Sequence, residues 1–217
     1  MLLDEFPLFR SDVIEALRQP LESGEVTIAR GEESATYPAR SMVVMACNPC
    51  PCGGYQGGLG QNDCSCGEVT RRHYQRRVTG PVHDRIDIVR QVLPPLGLDP
   101  GSAVFPREGS ADVRARVEQA RQRQYSRFAG RGWRLNSQVP SAPLRAEWPL
   151  PEPAQRRLDD DLYRGRLSRR GAVRAHRLAW TVADVRGATT PDEGDVDTAL
   201  RLRSGAALVE QALRRAS

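Results

Sequence analysis

Lysine is missing. All 32 basic residues of the 217-residue chain are arginine. That absence excludes a Schiff-base lysine, a lysine general base and, within these residues, a phosphate-binding loop of the GxxxxGK[ST] type, whose lysine reaches the β- and γ-phosphates. Arginine does not stand in as a base, because it stays protonated. A general arginine-for-lysine bias gives the same count, and both readings stay open at this point. Long hydrophobic runs are missing too. No apolar stretch approaches the ~18 residues of a membrane span, so no membrane partner is expected. The first residues, Met1-Leu2-Leu3, run straight into Asp4-Glu5, which is not the pattern of a signal peptide. Cysteine is scarce and uneven: four of the five fall within residues 50–66. That clustering argues against a disulfide framework and for a cytoplasmic, metal-binding role. A net charge of +5 permits contact with nucleic acid or nucleotide without establishing it.

What is present divides into an α/β part followed by an all-α part. Met1–Leu3 reads as the end of a strand. Residues 11–22 read as one amphipathic helix, capped by Ser11, with Ile14, Leu17 and Leu21 on one face. Residues 25–40 alternate and turn near Gly31, a β-hairpin pattern. The apolar run Ser41–Ala46 suits a strand buried on both faces. Residues 49–67 form a Cys/Gly/Pro-rich insert. A helix is expected from Glu68 to Arg77 and an alternating strand from Arg85 to Val92. Residues 94–110 carry the proline and glycine of a linker. Helices are then expected over 111–128, 168–186, from a capping box at Thr190-Pro191-Asp192-Glu193 with Pro191 as first helical residue, and over 204–215.

Three motifs carry chemistry. An apolar strand ending in Asp4 and Glu5 suits Mg-nucleotide hydrolysis, one carboxylate holding the metal and its neighbour polarising the attacking water. Asn48, at the end of the 42–46 run, is placed to orient a water, since ligands of parallel sheets sit beyond the carboxyl ends of strands. Arg85, in Gly80-Pro81-Val82-His83-Asp84-Arg85-Ile86-Asp87, suits an arginine that neutralises transition-state charge in trans. Singly, each has a plainer reading: an acidic turn, a turn-starting asparagine and a surface ion pair.

In combination, LLDEFPLF, VIEALRQPLESGEVTIARGEESATYPARSMVVMACNPCPCG and TGPVHDRIDI resemble the ComM/YifB-like branch of the magnesium-chelatase-related AAA+ ATPases. RLSRRGAVRAHRLAWTVADVRG and DEGDVDTALRLR resemble that family's helical lid. The resemblance implies a partial P-loop NTPase core with a parallel sheet over 1–93, a linker over 94–110 and a helical lid domain over 111–217. It implies Walker B acids at Asp4 (the magnesium ligand) and Glu5, sensor 1 at Asn48, the arginine finger at Arg85 and sensor 2 at Arg170, with ATP and Mg²⁺ as cofactors. It also implies a homo-oligomeric ring, a hexamer, that promotes DNA branch migration during competence. The family's Walker A lies upstream of Walker B, so the expectation is a carboxyl-terminal part of such a protein, inactive alone. Independently, Leu178, Val182 and Val185 are expected to define a buried helical face, with Arg170 and Arg174 at its inner edge. Such arginines meet either a nucleotide phosphate or an acid of the same chain.

Cys50-x-Cys52 and Cys64-x-Cys66, eleven residues apart, offer four thiolates for one tetrahedral Zn²⁺. The one-residue spacing within each pair is shorter than usual, and the ComM-like family is similar in this pattern. Plain reduced thiols, or His73 replacing one cysteine, are the alternatives; Cys47 reads as a small buried residue. Arg71, Arg72, Arg76 and Arg77 crowd one helix after the insert, with Tyr74 available for stacking. Arg30 and Arg40 flank a hairpin similar to one that touches DNA in minichromosome-maintenance helicases. These arginines are expected to contact phosphates without reading sequence, the alternative being a solvated basic face. Two other functions stay in view: a non-enzymatic zinc-bearing DNA-binding module, and the ATPase subunit of a magnesium chelatase.

Overall fold

The computed structural model describes residues 1–55, 63–79, 82–92 and 108–208. The middle of the Cys-rich insert (56–62), Gly80 and Pro81, residues 93–107 of the linker region and the stretch 209–217 lie outside the described residues. The chain divides into two units, Met1–Ile86 and Asp87–Ser217.

The first unit opens with β1 (Leu2–Leu3), followed by a 3-10 turn over Phe6–Leu8 that buries Phe6 and Pro7. The expected single helix is two, α1 (Ser11–Ala16) and α2 (Arg18–Ser23). Proline at position 20 has no N–H to return to Ala16, which breaks the ladder near Leu17. Ser11 makes no capping bond; its hydroxyl instead accepts from the Arg77 guanidinium at 2.9 Å. The hairpin forms as expected. β2 (Glu25–Arg30) and β3 (Glu33–Pro38) pair antiparallel from Glu25↔Pro38 to Arg30↔Glu33. The tight turn between them needs Gly31, at φ 63°. Both strands are almost wholly exposed.

Of the expected 41–46 strand only β4 (Val44–Met45) forms, parallel to β1 with Leu2↔Val44 and Leu3↔Met45. It is not buried on both faces: Met42 is 80% and Val44 48% exposed. Its one sheet partner is two residues long, which leaves the faces little to pack against. α3 (Glu68–Thr79) follows the insert as expected. The strand expected over 85–92 does not form. His83–Arg85 is a 3-10 turn and the chain beyond it is irregular. The Val89 amide, a donor that a sheet would have used, goes to the Leu202 carbonyl in the last turn of a later helix, and the Arg90 guanidinium donates to the Ala206 carbonyl just beyond it.

The second unit is helical: α4 (Ser110–Arg127), α5 (Ser141–Glu147), α6 (Glu152–Tyr163), α7 (Arg169–Arg186) and α8 (Glu193–Ser204). α7 starts at Ser168, whose side chain accepts from the Gly171 amide at 3.0 Å. α8 is capped one step later than expected. Asp192 is the N-cap and exchanges bonds with Asp195, so Pro191 precedes the helix rather than opening it. α8 ends at its Gly205 cap, φ 74°, and residues 205–208 are not helical; the rest of the helix expected over 204–215 lies outside the described residues.

The core joins Leu150, Ala154, Leu158, Ala175, Ala179, Val196, Ala199 and Leu200. Beside it, Phe128, Trp133 and Trp148 pack edge to face, and Trp180 completes the cluster. The buried face of α7 differs from the expected one. Ala175, Ala179 and Ala183 are fully buried, next to His176, Trp180 and Asp184, while Leu178, Val182 and Val185 are half-buried at the edge. Alanines four apart allow neighbouring helices to approach closely, and larger side chains fill the flanks. No helix among the described residues is long and apolar enough to cross a membrane.

His176 is buried, with its Nε2 2.9 Å from the Trp148 carbonyl. Burial, above all, pushes its pKa down. Below its ordinary value of about 6.5 the unfolded chain takes up a proton that the folded imidazole resists. The second unit is therefore expected to lose stability as pH falls below about 6.5, by at most ~1.4 kcal/mol per pH unit. Urea unfolding at pH 7 and pH 5, with His176→Gln flattening the difference, checks this.

Candidate nucleotide and metal sites

The parallel register brings two expected site residues to one end of a sheet. The Ala46 amide donates to the Leu3 carbonyl at 2.9 Å and the Phe6 amide to the Ala46 carbonyl at 3.3 Å. Asp4 and Glu5 therefore leave β1 on the side where Asn48 leaves β4. All three side chains are exposed. Glu5 has φ 48° and ψ 35°, the left-handed conformation, and is alone in this among the described non-glycine residues. Such a conformation costs on the order of 1 kcal/mol or more and concentrates at functional sites. Asp4 offsets part of it, its carboxylate accepting from the Glu5 amide at 2.9 Å. The buried Phe6-Pro7 step fixes the chain immediately afterwards.

Tyr74 of α3 lies beneath this end of the sheet. It is 5% exposed, so it is not the stacking residue expected from sequence. Burial raises its pKa, with smaller contributions from the charges of Cys47, Glu5 and Cys50, and a hydrogen bond with the Asn48 main chain opposes them. Glu5, Asn48 and the cysteine insert thus share one neighbourhood around this phenol. No sequence pattern marks that role.

Arg85 ends the 3-10 turn anchored by buried Val82. Its Nη2 lies 2.7 Å and its Nε 3.2 Å from Glu22 Oε2. In the second unit Arg170 is exposed in the first turn of α7, while Arg174, one turn on, pairs with Asp87. For Arg174 an acid of the same chain is thus the partner in this structure.

The four clustered cysteines converge. Their Sγ atoms all lie within 4.8 Å of one another. Cys50 Sγ is 3.4 Å from Cys52 and 3.6 Å from Cys64, and Cys52 is 3.6 Å from Cys64. Four sulfurs ~2.3 Å from a tetrahedral zinc stand about 3.8 Å apart, so the donor set fits that ion. Cys50 is fully buried. The amide of Gly54, ahead of hydrogen bonds from Cys50, Cys66 and the Ser65 main chain, pulls the Cys52 thiol down to about 5. Cys66, hydrogen-bonded to that thiolate, is pushed up to about 11. His73 is exposed and outside the cluster. Cys47 is exposed, not buried as expected, because β4 ends before it.

The basic residues divide by role. Arg77 donates to the carbonyls of Pro7 (2.8 Å) and Phe9 (3.1 Å), tying α3 to the turn after β1. Arg71 stacks over the Tyr55 ring, 4.6 Å from its centroid. Arg72 pairs with Glu68 one turn back. Arg76 is exposed, and so are Arg30, which stands opposite Glu33, and Arg40, which lies across Gly24.

A buried polar network went unseen in the sequence. Asp184 is fully buried on α7. It accepts both guanidinium branches of Arg127 and the side-chain amide of Asn136 at 2.8 Å. Arg127 also stacks on Trp180, 4.4 Å from the ring centroid, and donates to Asn136 Oδ1 at 3.0 Å.

Residues 1–96 match the model of the family described as magnesium chelatase, subunit ChlI, and residues 107–203 that of its C-terminal domain. The chain belongs to the magnesium-chelatase-related family. Members similar to it include a Mycobacterium tuberculosis protein, 38% identical over 203 residues, and YifB of Escherichia coli, 36% identical over 204; each match covers 94% of this chain. The competence protein ComM of Haemophilus influenzae is 35% identical over 86% of it. The chain spans 39%, 37% and 35% of these three relatives respectively. Within the family, then, this segment combines an α/β start holding a small parallel sheet with a helical carboxyl-terminal part.

Proposed function

We propose that this segment supplies the hydrolytic side of an ATP site in an AAA+ motor that assembles as a ring, a hexamer, and works on DNA. The observation that carries the reading is the β1–β4 register, which puts Asp4, Glu5 and Asn48 at the same end of two adjacent parallel strands. With Mg-ATP there, Asp4 would hold the metal, which shields the phosphate charge. Glu5 takes the water proton, Asn48 orients that water, and Arg85 reaches a neighbouring subunit's phosphates. The helical unit acts as the lid, with Arg170 and Arg174 as its phosphate-reading arginines. Zinc in the four-cysteine site is structural, since four protein ligands leave no open position. Arg30, Arg40, Arg71, Arg72 and Arg76 supply phosphate contacts to DNA. The resemblance to ComM extends the reading to branch migration.

The test supplies a P-loop segment to this chain, in one polypeptide or in trans. Glu5→Gln is expected to lower ATP turnover about a hundredfold while nucleotide binding persists. Turnover that survives the substitution removes Glu5 from the mechanism. The 217 residues alone, having no lysine, are expected to hydrolyse no ATP. The cysteine cluster beside the basic face of α3 favours a second reading, a zinc-bearing DNA-binding module. It is distinguished by DNA binding that ATP does not alter. A chelatase subunit would show ATP turnover without DNA binding.

A further inference from the structure

An arginine finger has to leave its own subunit, yet Arg85 is held at home. Its side chain is 12% exposed, against 41% for Glu22. Nε and Nη2 converge on one Glu22 carboxylate oxygen, Oε2. A guanidinium this far out of water needs an anion. Glu22 lies in the last turn of α2, just before the Gly24 cap, where helix carbonyls disfavour a carboxylate. Its place is explained by Arg85 rather than by the helix. Arg18 pairs with Glu15 at 2.5 Å and senses Glu22 more weakly.

Resting on the arginine-finger reading of Arg85, we propose that Glu22 is a displaceable counter-ion: it holds Arg85 when no nucleotide is presented and yields it to the polyphosphate of a neighbouring subunit. A polyphosphate carries more negative charge than a carboxylate and offers several acceptor oxygens to the same planar fork. The exchange replaces one anion by another, so Arg85 is never left desolvated and unpaired. The cost of that exchange appears in the nucleotide concentration at which the ring engages. Arg174 and Asp87 repeat the pattern within the helical unit, with Arg174 19% exposed.

Steady-state ATP turnover of the chain supplied with a P-loop segment tests this, comparing wild type, Glu22→Gln, Glu22→Asp and Arg85→Ala. Glu22→Gln is expected to lower KM for ATP at least threefold with kcat moved less than twofold, and Glu22→Asp to return KM toward wild type. Arg85→Ala is expected to abolish turnover. If Arg85→Ala loses turnover while Glu22→Gln leaves KM unchanged, or lowers kcat alone, Glu22 is no counter-ion and the arginine-finger reading stands. If Arg85→Ala leaves turnover intact, or the wild-type assembly has none, both fall together.

Discussion

Replacing Cys50 by serine is expected to empty the four-cysteine site and unfold the first unit. The reason is the small apolar core there. Among the described residues of Met1–Ile86, only Phe6, Pro7, Cys50, Tyr74 and Val82 are buried apolar side chains. That is too little to offset the ordering of a chain this length. On the zinc reading, the metal would contribute on the order of 10 kcal/mol to folding. Of the four cysteines Cys50 is the one with no exposure, so water could not take its place as a ligand. Metal analysis should fall from one zinc per chain to none, and limited proteolysis should then cut throughout 1–86. Full zinc content in Cys50→Ser would overturn the assignment. Strong chelators should reproduce the loss in the unaltered chain.

Arg127→Ala is expected to destabilise the second unit by about 3–5 kcal/mol. The substitution leaves Asp184 fully buried with the Asn136 side-chain amide as its side-chain donor among the described residues, and that amide also donates to Thr181 Oγ1. It also removes the cation stacked on Trp180. Removing both charges together, as Arg127→Met with Asp184→Leu, should recover much of the loss, because no unpaired charge then remains. By contrast, Arg156→Ala breaks a pair with both side chains more than 70% exposed and should leave the unfolding midpoint unmoved. Tryptophan fluorescence during urea unfolding reads all three, since Trp133, Trp148 and Trp180 all belong to this unit. A midpoint unchanged in Arg127→Ala would show that Asp184 finds another partner.

The sequence made some of this legible for physical reasons and hid the rest for others. The hairpin was readable because alternation and a glycine turn are local facts. The cysteine site was readable because two tight pairs leave few other uses for four thiols. Asp4, Glu5 and Asn48 were legible as the polar ends of two apolar runs, and β1 and β4 pair in parallel with those ends on one side. The 85–92 segment misled because alternation also arises where a chain lies along a helix end, with Val89 and Arg90 bonded to carbonyls at the end of α8. α5 and α6 stayed hidden among Pro140, Pro143, Pro149, Pro151 and Pro153; proline is tolerated in a first helical turn, and Pro153 sits in that of α6. Apolar size misled on α7, where close approach selected alanine for the inner face. Tyr74, Glu22 and Asp184 carry no local signal, since their roles depend on partners tens of residues away.

The alanine face of α7 has a mechanical consequence. Side chains that can change rotamer let a helix slide or roll against its neighbours; Ala175, Ala179 and Ala183 have none to change, and Asp184 is pinned at the far end by Arg127 and Asn136. The helix therefore works as a stiff lever with a clamped end. On the reading that Arg170 and Arg174 meet phosphate, a pull on the first turns of the helix would not be absorbed by local repacking.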